Sequence, residues 1–160
     1  MKIELRRFFE NDNIKQDFSY SFNAEDDLFS SDIIVKGYVK TATGIVSLSA
    51  EAEFAVSTQC AKCAKDVTKK LRVKVNHFLI DKLNNDDNDE YIVVEDMVLN
   101  LDDLILEDIY LSLPTIFVCK SDCKGLCSIC GADLNEGQCN CKKPVDPRMA
   151  VLQSLLNDEE

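Results

Sequence analysis

Apolar and polar side chains alternate most regularly between Val46 and Ser57. Val46, Leu48, Ala50, Ala52, Phe54 and Val56 fall on one face, and Ser47, Ser49, Glu51, Glu53 and Ser57 on the other. A period of two sustained over this length predicts a half-buried strand. The same rhythm precedes it, with Ile33, Val35 and Val39 interleaved with Ile34, Lys36, Tyr38 and Lys40, and Thr43-Gly44 between the two reads as a turn. It resumes from Val67 to Ile80, where Leu71, Val73 and Val75 alternate with Lys70, Arg72 and Lys74. Alternating strands joined by short turns predict an antiparallel meander with one wet face. Cys60-Ala-Lys-Cys63 sits between the last two strands, at the tip of a long hairpin.

The flanks carry weaker patterns. Alternation at Ile3/Leu5 and at Phe18/Tyr20/Phe22 predicts two further short strands, and Tyr91 to Val94 reads as another. Asn100 and Asp103 resemble a capping arrangement, and the run that follows places Leu101, Leu104, Ile105 and Ile109 on one helical face. Leu106, Tyr110 and Leu113 widen that stripe, so this helix is expected to pack on the sheet and to stop at Pro114. Residues 84–90, NNDDNDE, read as a solvated acidic loop, lacking the glycine and terminal Glu of an EF-hand. After a Lys142-Lys143-Pro144 hinge, Asp146-Pro147 supplies an N-cap and a first-turn proline. Met149, Val151, Leu152, Leu155 and Leu156 would then give a final helix an apolar face, to dock on its own domain or in a partner's groove. The expected architecture is α+β: an antiparallel β-rich core, a meander or partly closed sheet, with one packed helix, a C-terminal Cys-rich zinc knuckle and a terminal helix. Residues 1–118 would form the core domain with its knuckle at the hairpin tip, and 119–160 the Cys-rich segment and last helix.

Eight cysteines change the picture from a plain sheet to a metal protein. A C-x-x-C turn delivers two thiols from one tight knuckle, and a structural zinc takes four. Cys127-Ser-Ile-Cys130-Gly is a second knuckle, and Cys139-Asn-Cys141 returns two thiols to it across a short loop. Cys127, Cys130, Cys139 and Cys141 are therefore expected to share one site, and Cys60, Cys63, Cys119 and Cys123 the other. Exchange of Cys123 and Cys127 is the main rival, because the x₃ spacing on both sides of Cys123 does not decide it. Two zinc ions would use every thiol; an iron–sulfur cluster and redox-active thiols are the weaker alternatives. A thioredoxin-like C-x-x-C would need a βαβ context, which a hairpin tip does not give.

Charge and compartment narrow the function. With 18 basic against 29 acidic residues the formal net charge is −11, and each four-thiolate zinc site adds roughly −2 more. Such a field repels phosphate backbones, so any nucleic-acid role runs through a basic partner or a local patch. Lys62, Lys65, Lys69, Lys70, Arg72 and Lys74 concentrate around the hairpin tip and its second strand, as either a solvated strand face or a contact for RNA or a partner. The N-terminal residues have no apolar core or cleavage site of a secretory signal, and no run reaches the ~18 apolar residues of a membrane span. A cytoplasmic, soluble chain is expected. His77, the only histidine, lies near a strand end with no hydroxyl or carboxylate partner suggested by spacing, so it reads as a surface or satisfied strand position. Four thiols per site leave no open coordination position, and no phosphate loop or nucleophile elbow is present; a non-enzymatic protein is expected.

The order of these features resembles a known family. C-x-x-C on a hairpin, a helix ending EDIYLSLP, then CKGLCSICGADLN, two further cysteines and DPRMAVLQSLL are similar to the YceD family, the large ribosomal RNA subunit accumulation proteins. The resemblance implies a bacterial protein acting in synthesis or accumulation of 23S ribosomal RNA. It implies as partner a ribosomal protein or large-subunit assembly intermediate, with ribosomal protein L32 a natural guess, and it carries over no catalytic residues. A zinc- or redox-responsive regulator is the alternative reading.

Overall fold

A computed structural model of the chain describes residues 1–81, 91–94 and 96–141. Its elements are β1 (Lys2–Glu4), α1 (Arg6–Glu10), β2 (Lys15–Phe22), β3 (Ile33–Ala42), β4 (Ile45–Gln59), β5 (Asp66–Ile80), β6 (Tyr91–Val93), β7 (Val98–Asn100) and α2 (Leu101–Ser112). Strands β2 to β6 form one five-stranded sheet in sequence order, and β1 pairs with β7 in a separate two-stranded sheet.

Alternation does what it should in the central strands. In β4 every even residue from Val46 to Val56 is buried, while the odd ones from Ser47 to Ser57 are half-buried on the solvent side. Thr43 and Gly44 both take positive φ, 54° and 76°, which gives a two-residue turn the twist that flanking strands need. Register then follows: Val39 faces Leu48 and Val35 faces Ala52 across β3–β4, and Leu48 faces His77 across β4–β5. At Gly37 the strands press closest; a Cβ there would lie 2.5 Å from the Ser49 carbonyl oxygen and 2.7 Å from the Ala50 Cβ. Only glycine fits that crossing.

The core lies on the even face of β4, closed by the helices. Leu101, Ile105 and Ile109 of α2 are fully buried against the sheet, with Leu104, Leu106 and Leu113 at their margin. Burying three such side chains stabilises the docked helix by roughly 1.5–3 kcal/mol each. His77 on β5 meets Asp108 on α2 at 2.6 Å, so the histidine is satisfied, by a carboxylate that spacing did not suggest. The β2–β3 connection folds against the tip half of the β4–β5 hairpin, where Phe29 packs edge-on against Phe54 and Tyr110 and Tyr110 donates to Asp26.

Several expectations need correction. Leu5 does not extend a strand: it starts α1, because Leu5, Phe8 and Phe9 stand at helical i, i+3, i+4 spacing and Leu5 and Phe8 are buried. Strand β6 runs parallel to β5, not antiparallel, so the sheet is mixed; ten residues separate the two strands, too many for the tight turn an antiparallel return would use. Val98–Asn100 forms β7 immediately before the helix, a strand not foreseen. Asn100 is the N-cap residue of α2, but its amide bonds the Asp103 carboxylate and not a backbone N–H. The acidic loop 84–90, the hinge 142–144 and the helix expected after Asp146 lie outside the described residues.

Candidate metal centres

Past the N-terminal end of β3, β4 and β5 run on together, flanked at Ala55–Ser57 by the β2–β3 connection, and the C-x-x-C knuckle caps them. Within the knuckle the Cys60 N–H donates to Lys65 O and the Ala64 N–H to Cys60 O, both at 2.8 Å. The second knuckle repeats this: Cys127 N–H to Ala132 O at 2.8 Å and Gly131 N–H to Cys127 O at 2.9 Å. The residue after each second cysteine takes a left-handed conformation, Ala64 at φ 58° and Gly131 at φ 73°. The two loops are one local structure used twice.

The chain after α2 brings the remaining thiols. Pro114 turns it away from the helix, Phe117 O accepts from the Ala61 N–H at 2.8 Å, and Cys119 and Cys123 arrive beside the first knuckle. The Sγ atoms of Cys60 and Cys123 stand 3.9 Å apart and those of Cys63 and Cys119 3.7 Å. A tetrahedral zinc with bonds of about 2.3 Å requires sulfurs about 3.8 Å apart, whereas a disulfide would need about 2.05 Å. All four ligand atoms of Cys60, Cys63, Cys119 and Cys123 lie within 4.8 Å of one another, and so do those of Cys127, Cys130, Cys139 and Cys141. Cys123 thus joins the first set and Cys127 the second, not the exchanged arrangement. Both sets fit a metal ion. In the first, Cys60, Cys63 and Cys123 are buried around Val67 and Val118 and Cys119 is exposed; in the second no thiol is buried and Cys130 is exposed.

The thiols of each set compete for ionisation. Burial opposes it at Cys60, but N–H groups of Cys119, Cys63 and Lys62 outweigh burial and bring that thiol to about 6. Cys127 also falls to about 6, through the N–H groups of Cys130 and Ile129. Burial and the surrounding thiols push Cys119 up to about 12, and the bond to Cys130 with burial does the same at Cys141. Adjacent thiolates disfavour one another, and a divalent cation among them removes the conflict.

The two centres are joined. Lys65, just past the first knuckle, holds Asp133 at 2.8 Å and Glu136 at 2.7 Å in the second loop. Asn135 accepts from the Lys124 N–H at 2.9 Å and points its amide at the Cys123 sulfur, 3.5 Å away. Gly125, at φ 76°, lies against Lys62, whose carbonyl accepts from Leu126 N–H at 3.0 Å.

Both cysteine knuckles and the helix between them belong to a stretch that known families recognise. Residues 48–156 match the family described as Large ribosomal RNA subunit accumulation protein YceD. The chain belongs to the YceD family. Uncharacterized proteins of Mycobacterium bovis and of two strains of Mycobacterium tuberculosis are each 30% identical over 105 residues, covering 63% of this chain and 51% of theirs. The chain thus spans about half the length of the curated relatives it matches. No solved structure matches it. No helix among the described residues is long and apolar enough to cross a membrane.

The six basic residues singled out in the sequence do not form one patch. Lys65 is the strap between the centres, Lys62 is exposed on the knuckle, and Lys69 turns toward the core side of β5. Lys70, Arg72 and Lys74 do share the solvent face, where Arg72 pairs with Glu51 and Glu53. The register brings Lys15, Lys36, Lys40 and Tyr38 to that same face. Alternation alone put Lys36, Tyr38 and Lys40 on the polar side of β3; which strand lay beside them needed the register.

Proposed function

We propose that this chain is a non-enzymatic, cytoplasmic assembly factor that supports synthesis, processing or accumulation of 23S ribosomal RNA in the large subunit. The match to the YceD family over residues 48–156, which spans both cysteine sets, carries this reading. The metal is zinc, two ions per chain, since four thiols at tetrahedral spacing satisfy zinc completely and leave no position for a catalytic water. The ions hold the scaffold. A net charge of −11 suits docking against a basic ribosomal protein, L32 among the candidates, or an RNA–protein intermediate.

Depletion of the protein tests the reading directly: mature 23S RNA and large-subunit particles should fall while 16S RNA is spared, and unchanged large-subunit RNA would sink it. Exposure of Cys130 favours a second reading, a zinc- or oxidant-responsive regulator. Retention of both ions through mild oxidant would rule that out.

A further inference from the structure

The solvent-facing side of the large sheet segregates charge. Between the row of Lys40 and the row of Lys70 it carries six of the chain's 18 basic residues (Lys15, Lys36, Lys40, Lys70, Arg72 and Lys74) but only three of its 29 acidic ones, Asp17, Glu51 and Glu53. Asp32 and Asp66 stand at the margin nearer the hairpin tip. The face is therefore +3 on a chain of −11, which leaves the remainder at −14. Lys36, Lys40, Lys70 and Lys74 make no ion pair among the described residues and are exposed.

Two lysines of the face, Lys40 and the Asp17-paired Lys15, lie over an aromatic ring. Tyr38 stands at the middle of the face, with Lys15 Nζ 4.6 Å and Lys40 Nζ 5.9 Å from its ring centroid. Beside it runs a shallow depression of about 780 Å³, floored by Gly37 and Ala50 and flanked by Lys36 and Lys74, with Asp17 and Glu51 also on its rim. A second aromatic pair, Phe78 against Tyr91 at 6.1 Å, lies at the far side of the sheet, and Phe78 is 49% exposed. Lys36 and Lys40 on β3 stand four residues apart, as do Lys70 and Lys74 on β5, a spacing of ~13.6 Å along the strand and about two phosphate steps of an extended single strand.

We infer that this face binds single-stranded RNA, with Tyr38 and Phe78 as stacking platforms and Lys15, Lys36, Lys40 and Lys74 on the phosphates. Aromatic rings amid exposed cations on an open sheet suit unpaired bases, whereas an acidic peptide would use the cations and gain less from the rings. The strongly acidic remainder repels RNA, and so orients the strand onto this side. The inference rests on the ribosomal-RNA reading above and names the surface that would serve it.

The test uses the full zinc-loaded chain and a fluorescent single-stranded oligonucleotide of 23S sequence, followed by anisotropy. Binding should weaken with salt at a log–log slope of roughly −2 to −3, as about four phosphate contacts on a single strand predict. Lys36→Glu with Lys74→Glu should cost at least tenfold in affinity, and Tyr38→Ala about tenfold. Arg6→Glu, outside the face, should cost much less. Lys36→Gln with Lys74→Gln gives a milder check, and two bound zinc ions per chain verify folding in every variant. Affinity unchanged by these substitutions, or tighter binding of a poly-glutamate peptide at the same face, would overturn the inference. Full rescue of 23S RNA in depleted cells by the Lys36→Glu/Lys74→Glu variant would also overturn it, while leaving the assembly role standing.

Discussion

Ala64 and Gly131 occupy equivalent places in two copies of one loop, yet only one of them is glycine. A left-handed conformation costs an alanine about 1 kcal/mol relative to glycine. Ala64→Gly should therefore stabilise the zinc-loaded protein by up to about 1 kcal/mol, and Gly131→Ala should destabilise it by a similar amount, because the space around Gly131 is open and only the backbone resists. Thermal unfolding with zinc in slight excess measures both. Gly125 is a harsher case: its Cβ would meet the Lys62 carbonyl at 2.9 Å as well as the positive φ. Gly125→Ala should cost more than Gly131→Ala, and equal losses would mean that the contact with the first knuckle carries little. Glycine after Cys130 was readable as the place where the chain must fold back. The strain at Ala64 was not, since nothing in an alanine announces its φ.

At the level of elements, the two centres differ in shelter. The first pins the hairpin tip to the chain that follows α2 across 56 residues, a closure that stabilises by roughly a few kcal/mol before the metal–ligand enthalpy is added. The second builds a more open loop. A weak chelator should thus remove one equivalent of zinc well before the other, as metal analysis against time would show. Cys127→Ser with Cys130→Ser should leave one ion and an intact sheet, whereas Cys60→Ser with Cys63→Ser should loosen the hairpin tip. Equal release of both ions would contradict the difference in burial. On α2, Ile105→Ala should cost about 2–5 kcal/mol, read from denaturant unfolding, because its side chain is fully buried. The central strands, the hairpin and α2 were legible because their periods are long and clean. Strand β7 has three residues, and the parallel sense of β6 depends on where the intervening chain goes; neither leaves a periodic mark. Thiol pairing was half legible: the knuckles announce themselves, but only the geometry at Gly125 and Asn135 shows that the chain turns between Cys123 and Cys127.

For the whole molecule, charge and metal act together. Zinc binds the thiolate, so uptake displaces whatever protons the eight thiols still hold. With Cys60 and Cys127 near 6, at least one thiol per set is already mostly ionised at pH 7, while Cys119 and Cys141 near 12 are not. Zinc added to the demetallated chain at pH 7 should therefore release fewer than four protons per ion, measurable by titration at constant pH. Affinity should weaken as pH falls through about 6, since protons then compete even for the first thiol. Loading makes an acidic chain more acidic still, and this sharpens the contrast between the basic sheet face and the rest.

The long separation between the halves of the first centre has a further meaning in time. Cys60 and Cys63 emerge early in synthesis, but their partners follow only after the whole of α2, and the strap residues Asp133 and Glu136 later yet. A chain that stops short of residue 123 can form its hairpin and still be unable to close its first centre. The ion is a late seal, and its presence certifies that synthesis has passed residue 123.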